Sequence, residues 1–290
     1  MDTFFDYAII GGDKRLVYAA DILAEKNFNV ITYKTETNNS GRFTAVSLEY
    51  AVNRSENIIC PIPLTRDKIS ILSNSGDIAG PDTKQDLSLD SLKNSLTGSH
   101  KFFAGCIPEF FTDYGKEKNI FMYDFMKNEE LAIFNTIATA EGALAEAIKY
   151  HPANLHAGNC LVLGFGRCAK TLAAKLKGLS ANVTVCARNK NALAEANAYG
   201  YGALELNDIE KYINRFEYIF NTIPTIVLPE STLAIIRKDA LLLDVAPGGF
   251  DFEGSRRLGL NSHLCPGLPG KYSPKSSAEV LVDLILQKRT

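Results

Sequence analysis

The sequence predicts an α/β fold of two doubly wound parallel-sheet domains, and three observations predict it. Short apolar runs alternate along the whole chain with stretches of helical periodicity, the pattern of β-α-β units with parallel strands. Two of these runs, Tyr7–Ile10 and Leu161–Leu163, lead directly into glycine turns that open helices. A length of 290 residues suits two domains of ordinary size. The expected division is residues 1–130 and 131–275, the second entered through a connector helix at 129–150. A last helix at 276–290 is expected to pack back on the first domain.

The second glycine turn is the more informative. Leu161–Leu163 reads as a buried strand, and Gly164-Phe165-Gly166-Arg167-Cys168-Ala169 follows as G-x-G-x-x-A. Leu172, Leu176 and Leu179 then recur at helical spacing. Gly164 permits the tight turn, Gly166 lets backbone approach a pyrophosphate, and Ala169 lets the helix pack closely on the sheet. The helix N-terminus faces the phosphate charge. With strand and helix both in place, the pattern reads as the Rossmann fingerprint, and the domain as NAD(P)-binding.

The next strand, Asn182–Ala187, sharpens the cofactor reading. An NAD site usually offers a carboxylate at its end, but here the chain runs Ala187-Arg188-Asn189. Arg188 suits a 2′-phosphate, which favours NADP(H), with NAD the alternative and adenine stacking another use of the arginine. Three further strands end in polar clusters: Asn221-Thr222-Ile223-Pro224, Asp244 with Pro247-Gly248-Gly249, and Pro266 to Lys271. All belong to the carboxyl edge of one sheet, where the nicotinamide half of a dinucleotide extends.

Taken from its start, the chain opens β-α-β, with Gly11-Gly12-Asp13-Lys14-Arg15 at the first turn. Gly-Gly-Asp-Lys is not a dinucleotide fingerprint, so this domain is expected to be Rossmann-like or flavodoxin-like. Its turn is either a simple tight turn or a loop presenting Asp13, Lys14 and Arg15 to a ligand. Residues 35–45 and Ser73 to Asp90 read as polar loops. Helices are expected at Leu89–Leu96 and Glu109–Lys118, with strands at Lys101–Gly105 and Asn119–Tyr123.

Composition narrows the function classes. Hydrophobic residues make up 46% of the chain, enough for well-filled cores, and the net charge of −2 suggests neither nucleic-acid nor anionic-membrane partners. The N-terminus lacks signal-peptide character, and no apolar run approaches the length of a membrane span. Six cysteines show no C-x-x-C and no zinc spacing, so no metal site is expected. A soluble, reduced, cytoplasmic protein is the expectation.

From Asn128 to Tyr150 a long helical pattern ends at His151-Pro152. Asn135, Thr139 and Gly142 share one of its faces, read either as a solvated stripe or as the wall of a cleft. The four histidines, His100, His151, His156 and His263, form no pattern with Glu and Arg, so hydroxyacid-dehydrogenase chemistry is disfavoured.

Five segments in order, Asn135-x-x-x-Thr139-Ala-Glu141-Gly142, Gly164-Phe-Gly166-Arg167, Asn221-Thr-Ile-Pro224, Pro247-Gly-Gly249 and Pro266-Gly-Leu-Pro-Gly270-Lys271, resemble the family of dipicolinate synthase A subunits. Gly11-Gly12-Asp13-x-Arg15 fits the same likeness, which covers nearly the whole chain and is loosest at about 35 to 100. The resemblance implies an NAD(P)-dependent enzyme of sporulation that oxidises a dihydrodipicolinate-type intermediate of the lysine pathway to dipicolinate. It also implies a flavoprotein-like B subunit as partner, and folds of this type commonly form dimers.

That chemistry needs little beyond orientation and one proton acceptor, because losing a hydride makes the ring aromatic. A dicarboxylate substrate calls for cations and donors. Asp13, Arg15, Arg66, Asn135 and Gly267 are the expected substrate contacts, and Asn135, Thr139 and Lys271 the expected catalytic residues, with Glu141 or Asp244 moving the proton. The substrate is expected between the Gly11–Arg15 turn, the Asn135/Thr139 face and the Pro266–Lys271 loop. Two other readings stay open: a relative on the same plan, adenosylhomocysteinase-like or hydroxyacid-dehydrogenase-like, and a non-catalytic NAD(P)-binding subunit or sensor.

Overall fold

The computed structural model describes residues 3–35, 43–73, 87–246 and 248–289. The greater part of each polar loop expected in the first domain, 36–42 and 74–86, lies outside the described residues, as does Pro247. The chain divides into two compact units, Met1–Ala132 with Ser273–Thr290, and Ile133–Tyr272.

In the first unit the strands are β1 (Phe5–Ile10), β2 (Val30–Tyr33), β3 (Phe43–Thr44), β4 (Ser55–Ile59), β5 (Lys101–Ala104) and β6 (Phe121–Asp124). They pair in the order β3-β2-β1-β4-β5-β6, all parallel. The second unit repeats the plan with β7 (Asn159–Leu163), β8 (Asn182–Ala187), β9 (Gly202–Glu205), β10 (Tyr218–Asn221), β11 (Leu241–Asp244) and β12 (Asn261–Leu264). Its order is β12-β11-β10-β7-β8-β9, again all parallel. Counted from the first strand of each unit, both orders are 3-2-1-4-5-6, the Rossmann order, so the flavodoxin-like alternative for the first unit is excluded. In each unit the chain reverses direction across the sheet beside its first strand, and both glycine turns sit there.

Helices α1 (Lys14–Glu25), α2 (Leu48–Asn53), α3 (Leu89–Ser95) and α4 (Glu109–Glu117) cover the first sheet. Asp13 caps α1 by accepting from the Arg15 amide. The connector α5 (Glu129–Tyr150) begins where Asn128 Oδ1 accepts from the Leu131 amide, 2.8 Å away. By length and composition α5 is apolar enough to cross a membrane, which corrects the expectation that no run approaches that length. Its hydropathy comes from isoleucines, leucines and alanines together, and Ala140, Ala143 and Ala147 serve close packing in the second unit's core.

The second unit continues with α6 (Arg167–Gly178), α7 (Lys190–Ala198), α8 (Glu230–Leu233), α9 (Phe252–Arg257) and α10 (Leu268–Tyr272). The last of these replaces the loop expected at Pro266–Lys271. Helix α11 (Pro274–Arg289) starts two residues before the expected Ser276 cap, because proline presets a helical φ at the first position. Its Leu281, Val282 and Ile285 join Leu16, Ala20 and Leu23 of α1 in one apolar cluster of the first unit.

Candidate functional site

At the end of β7 the turn is built as the fingerprint requires. Gly164 has φ +92°, and a Cβ there would lie 2.8 Å from Thr222 Oγ1 and 3.1 Å from Ile223 Cγ1. Thr222 is fixed in turn by donating to the Leu163 carbonyl at 2.7 Å. Thus Gly164 answers both a left-handed backbone and a close approach from the next strand end. Gly166 is different: it is exposed at φ −78°, and a Cβ there would meet nothing within 4 Å.

As N-cap of α6, Gly166 supplies no side chain to the first turn. The start of this 12-residue helix therefore carries no side-chain cap hydrogen bond beside an open Gly166, an arrangement suited to a pyrophosphate. Arg167 is exposed there, Ala169 is buried against the sheet, and burial pushes the half-buried Cys168 thiol up, so it stays protonated at neutral pH.

Arg188 is exposed directly after β8, and among the described residues it has no ion pair. Asn189 is committed elsewhere, since its Oδ1 caps α7 by accepting from the amides of Asn191 and Ala192. No carboxylate stands at the end of this strand. Open backbone at Gly166, an uncapped helix start and a free guanidinium fit a phosphorylated dinucleotide.

The strand register sets Asn221 level with Leu163 on one side and Asp244 on the other, and Asp244 level with Leu264. Asn221 Nδ2 donates to Asp244 Oδ1 at 2.6 Å and to the Ile223 carbonyl at 2.9 Å, while its Oδ1 accepts from the Ile223 amide. The other Asp244 oxygen accepts from the amides of Gly248 and Gly249 at 3.0 and 3.1 Å. Both side chains are fully buried. Their donors and acceptors are spent on shaping the turns after β10 and β11, and Pro224 stands exposed on the first of these turns. Held in this way, Asp244 shapes the turns around it.

On α5 the expected polar stripe is only partly polar in use. Thr139 Oγ1 donates to the Asn135 carbonyl at 2.8 Å, a bond within the helix, and Glu141 pairs at 2.9 Å with Lys175 of α6. Gly142 is buried where a Cβ would lie 2.9 Å from Leu268 Cβ and from Tyr272 Cδ2, so it seats α10. One turn on, Glu146 forms an ion pair with Lys271. Burial pushes the Glu146 carboxyl up, but hydrogen bonding from Lys271 and Tyr272 and the charges of Lys271 and Lys149 bring it below its ordinary value. The same hydrogen bond raises Lys271. Sequence reasoning passed over Glu146 because one glutamate on a helix reads as a solvated face. Its i+4 relation to Gly142 is the signal that would have found it. Gly267 is exposed at φ +68°, just before α10.

Near these groups, the His263 ring stacks on Tyr150 with centroids 3.6 Å apart, and its Nε2 meets Asn261 Oδ1 at 2.8 Å.

In the first unit, Arg15 and Asp13 hold each other. Nε and Nη2 of Arg15 reach the two carboxylate oxygens at 2.9 and 2.7 Å, and Nη2 also donates to the Ile62 carbonyl at 2.6 Å. Asp13 is thus both helix cap and clamp. The Gly11-Gly12 turn is closed over by a later segment: the Gly12 amide donates to the Leu72 carbonyl, and a Cβ at Gly11 would lie 2.7 Å from that oxygen. Backbone therefore fills the place where the second unit leaves Gly166 open. Arg66 is exposed on the segment that follows β4.

Comparison with known proteins agrees with this architecture. Residues 6–126 match the family described as the N-terminal domain of the dipicolinate synthase A subunit. The dipicolinate synthase A subunit of Bacillus subtilis (strain 168) is 26% identical over 291 residues, spanning 98% of this chain and 96% of that protein. Among solved structures, the dipicolinate synthase A subunit from Bacillus halodurans superposes with a TM-score of 0.81 at 24% identity, covering 99% of this chain and 98% of the other. A D-isomer specific 2-hydroxyacid dehydrogenase from Lactobacillus delbrueckii ssp. bulgaricus, solved in NAD-complexed form, shares the fold at 11% identity and a TM-score of 0.58, covering 97% and 95%. Its N-terminal unit thus matches the model of the dipicolinate synthase A subunit's N-terminal domain, its full length is similar to that subunit, and it carries a dehydrogenase-like fold.

Proposed function

We propose that this chain is a cytoplasmic NADP(H)-linked dehydrogenase that oxidises a dihydrodipicolinate-type dicarboxylate to dipicolinate, a reaction of sporulation. The observation that carries the reading is the uncapped α6 start behind the open Gly166 turn, in a chain of this family. The amides following Gly166 would hold the pyrophosphate, and Arg188 the 2′-phosphate. When bound, the nicotinamide supplies a hydride acceptor. The residues of the chain then have two tasks: to bind and orient the dicarboxylate, and to provide one proton acceptor.

Lys271 is the half-exposed cation offered to a carboxylate in the second unit, and Arg66 is exposed in the first, whereas Arg15 is committed to Asp13 and the Ile62 carbonyl. Asn135 is the orienting amide of α5. With Asp244 spent on the Gly248 and Gly249 amides and Glu141 paired to Lys175, proton acceptance falls to solvent or to the carboxylates of the substrate. Action with a flavoprotein-like B subunit, and a homodimeric state, belong to the same reading and rest on the family relationship.

Calorimetric titration with NADPH and NADH, followed by dipicolinate added to the saturated complex, tests the proposal. Tighter NADPH binding and a dipicolinate response are expected. Dinucleotide binding without any dipicolinate response would leave a sensor or another substrate. Unchanged affinity and turnover in both Arg15→Ala and Asn135→Ala would remove those residues from the substrate site.

A further inference from the structure

The pair formed by Glu146 and Lys271 is asymmetric in a way that asks for a use. Glu146 is 3% exposed, whereas the Lys271 side chain is half exposed. Burying a carboxylate against one partner costs more than an apolar residue of the same volume would, so such a pair is a weak source of stability. The cost is compounded here, because Glu146 Oε2 is buried with no hydrogen-bond partner among the described residues. What the pair does achieve is geometric. A lysine ammonium on its four-carbon stem ordinarily samples many rotamers, and fixing it costs side-chain entropy. Here α10, seated on Gly142 through Leu268 and Tyr272, brings the stem to α5, and Glu146 one turn away fixes the head group. An ammonium has three donors; Glu146 and the Tyr272 hydroxyl stand on its inner side, while its exposed side remains open to an anion.

We propose that Glu146 is a positioning residue, holding Lys271 at the surface of the second unit as a cation that binds a carboxylate of the substrate. The proposal deepens the dicarboxylate reading above and rests on it.

The test uses the intact protein and two readouts. The first is the rate at which Lys271 is reductively methylated at fixed pH, followed by mass spectrometry with Lys211, an exposed lysine paired with Asp208, as internal reference. The second is calorimetric affinity for pyridine-2,6-dicarboxylate on the NADPH-saturated protein. In the parent, the dicarboxylate should protect Lys271. In Glu146→Gln, Lys271 should react several-fold faster. Dicarboxylate affinity should fall about tenfold, the scale of one misplaced charge-assisted contact, while NADPH affinity stays within about twofold. A Glu146→Gln protein with parental Lys271 reactivity and parental dicarboxylate affinity would overturn the proposal. If the parent binds no dicarboxylate, the substrate reading fails and the carboxylate role with it; faster methylation in Glu146→Gln would then show the clamp alone. Should Glu146→Gln fail to fold, Lys271→Gln serves: a tenfold loss of dicarboxylate affinity is expected, and unchanged affinity overturns the proposal.

Discussion

Asn221 Nδ2 sits 2.6 Å from Asp244 Oδ1, and this buried contact ties the ends of two neighbouring parallel strands together. Around it, the Ile223 carbonyl and the Gly248 and Gly249 amides complete a network in which both side chains are consumed. The two residues are the mould of the strand-end turns.

The mould leaves no room at Gly249, where a Cβ would fall 1.6 Å from Asn221 Nδ2. Gly249→Ala is therefore expected to destabilise the protein by about 3 kcal/mol through overpacking and loss of the Asn221 contacts. Urea unfolding measures this directly. A variant within about 0.5 kcal/mol of the parent would show that the network is not the support described.

Gly164 and Gly166 should separate stability from binding. Gly164→Ala forces a side chain into φ +92° and against Thr222, so a loss of about 2 kcal/mol is expected. Gly166→Ala meets open space, so stability should be unchanged while NADPH affinity falls at least about tenfold, the methyl standing where backbone must approach phosphate. Parental NADPH affinity in Gly166→Ala would place the dinucleotide elsewhere.

The proposed function gives Arg188 the choice between the two dinucleotides. Arg188→Asp should weaken NADPH by about 100-fold, replacing a charge-assisted pair with repulsion, and should leave NADH equal or tighter. Calorimetry of the two dinucleotides decides it. An equal loss for both would recast Arg188 as a contact to the adenine.

His100 makes a pH prediction. Its Nδ1 accepts from the Thr97 amide at 2.9 Å, so the proton lies on Nε2, which meets the Val52 carbonyl at 3.2 Å. Burial lowers its pKa below the ordinary 6.5, and the two backbone contacts only partly oppose this. The folded state thus binds this proton less readily than the unfolded chain, and stability is lost as pH falls below about 6.5. Chemical denaturation at pH 7.5 and pH 5.5 should show a drop that shrinks in His100→Asn. An identical drop in that variant would assign the effect to other groups, His263 first, since burial lowers it too.

Much of the second unit was legible because its signals are local. Strand β8 runs over Asn182–Ala187 as expected, and the Gly164–Ala169 turn opens a helix that ends at Gly178. Signals that depend on partners were not legible. Strand β3 is two exposed residues that pair only because β2 lies beside them, and it was hidden in a polar loop. Helix α10 took shape from Pro266–Lys271 because Gly142 and Glu146 give it a seat, and a Pro-Gly-rich segment carries no such information in itself.

By itself the sequence determined the parallel α/β class, the place of the glycine turn after β7 and the missing carboxylate at Arg188, since strand runs, glycines and charges act within a few residues of themselves. Tertiary structure alone decided which polar residues are free. Asp13 with Arg15, Glu141 with Lys175 and Asn221 with Asp244 are each paired within their unit, and only packing brings such partners within hydrogen-bond reach. The physical reason is range: backbone preference is set by neighbours in the chain, whereas a side chain's availability is set by whatever the fold places against it.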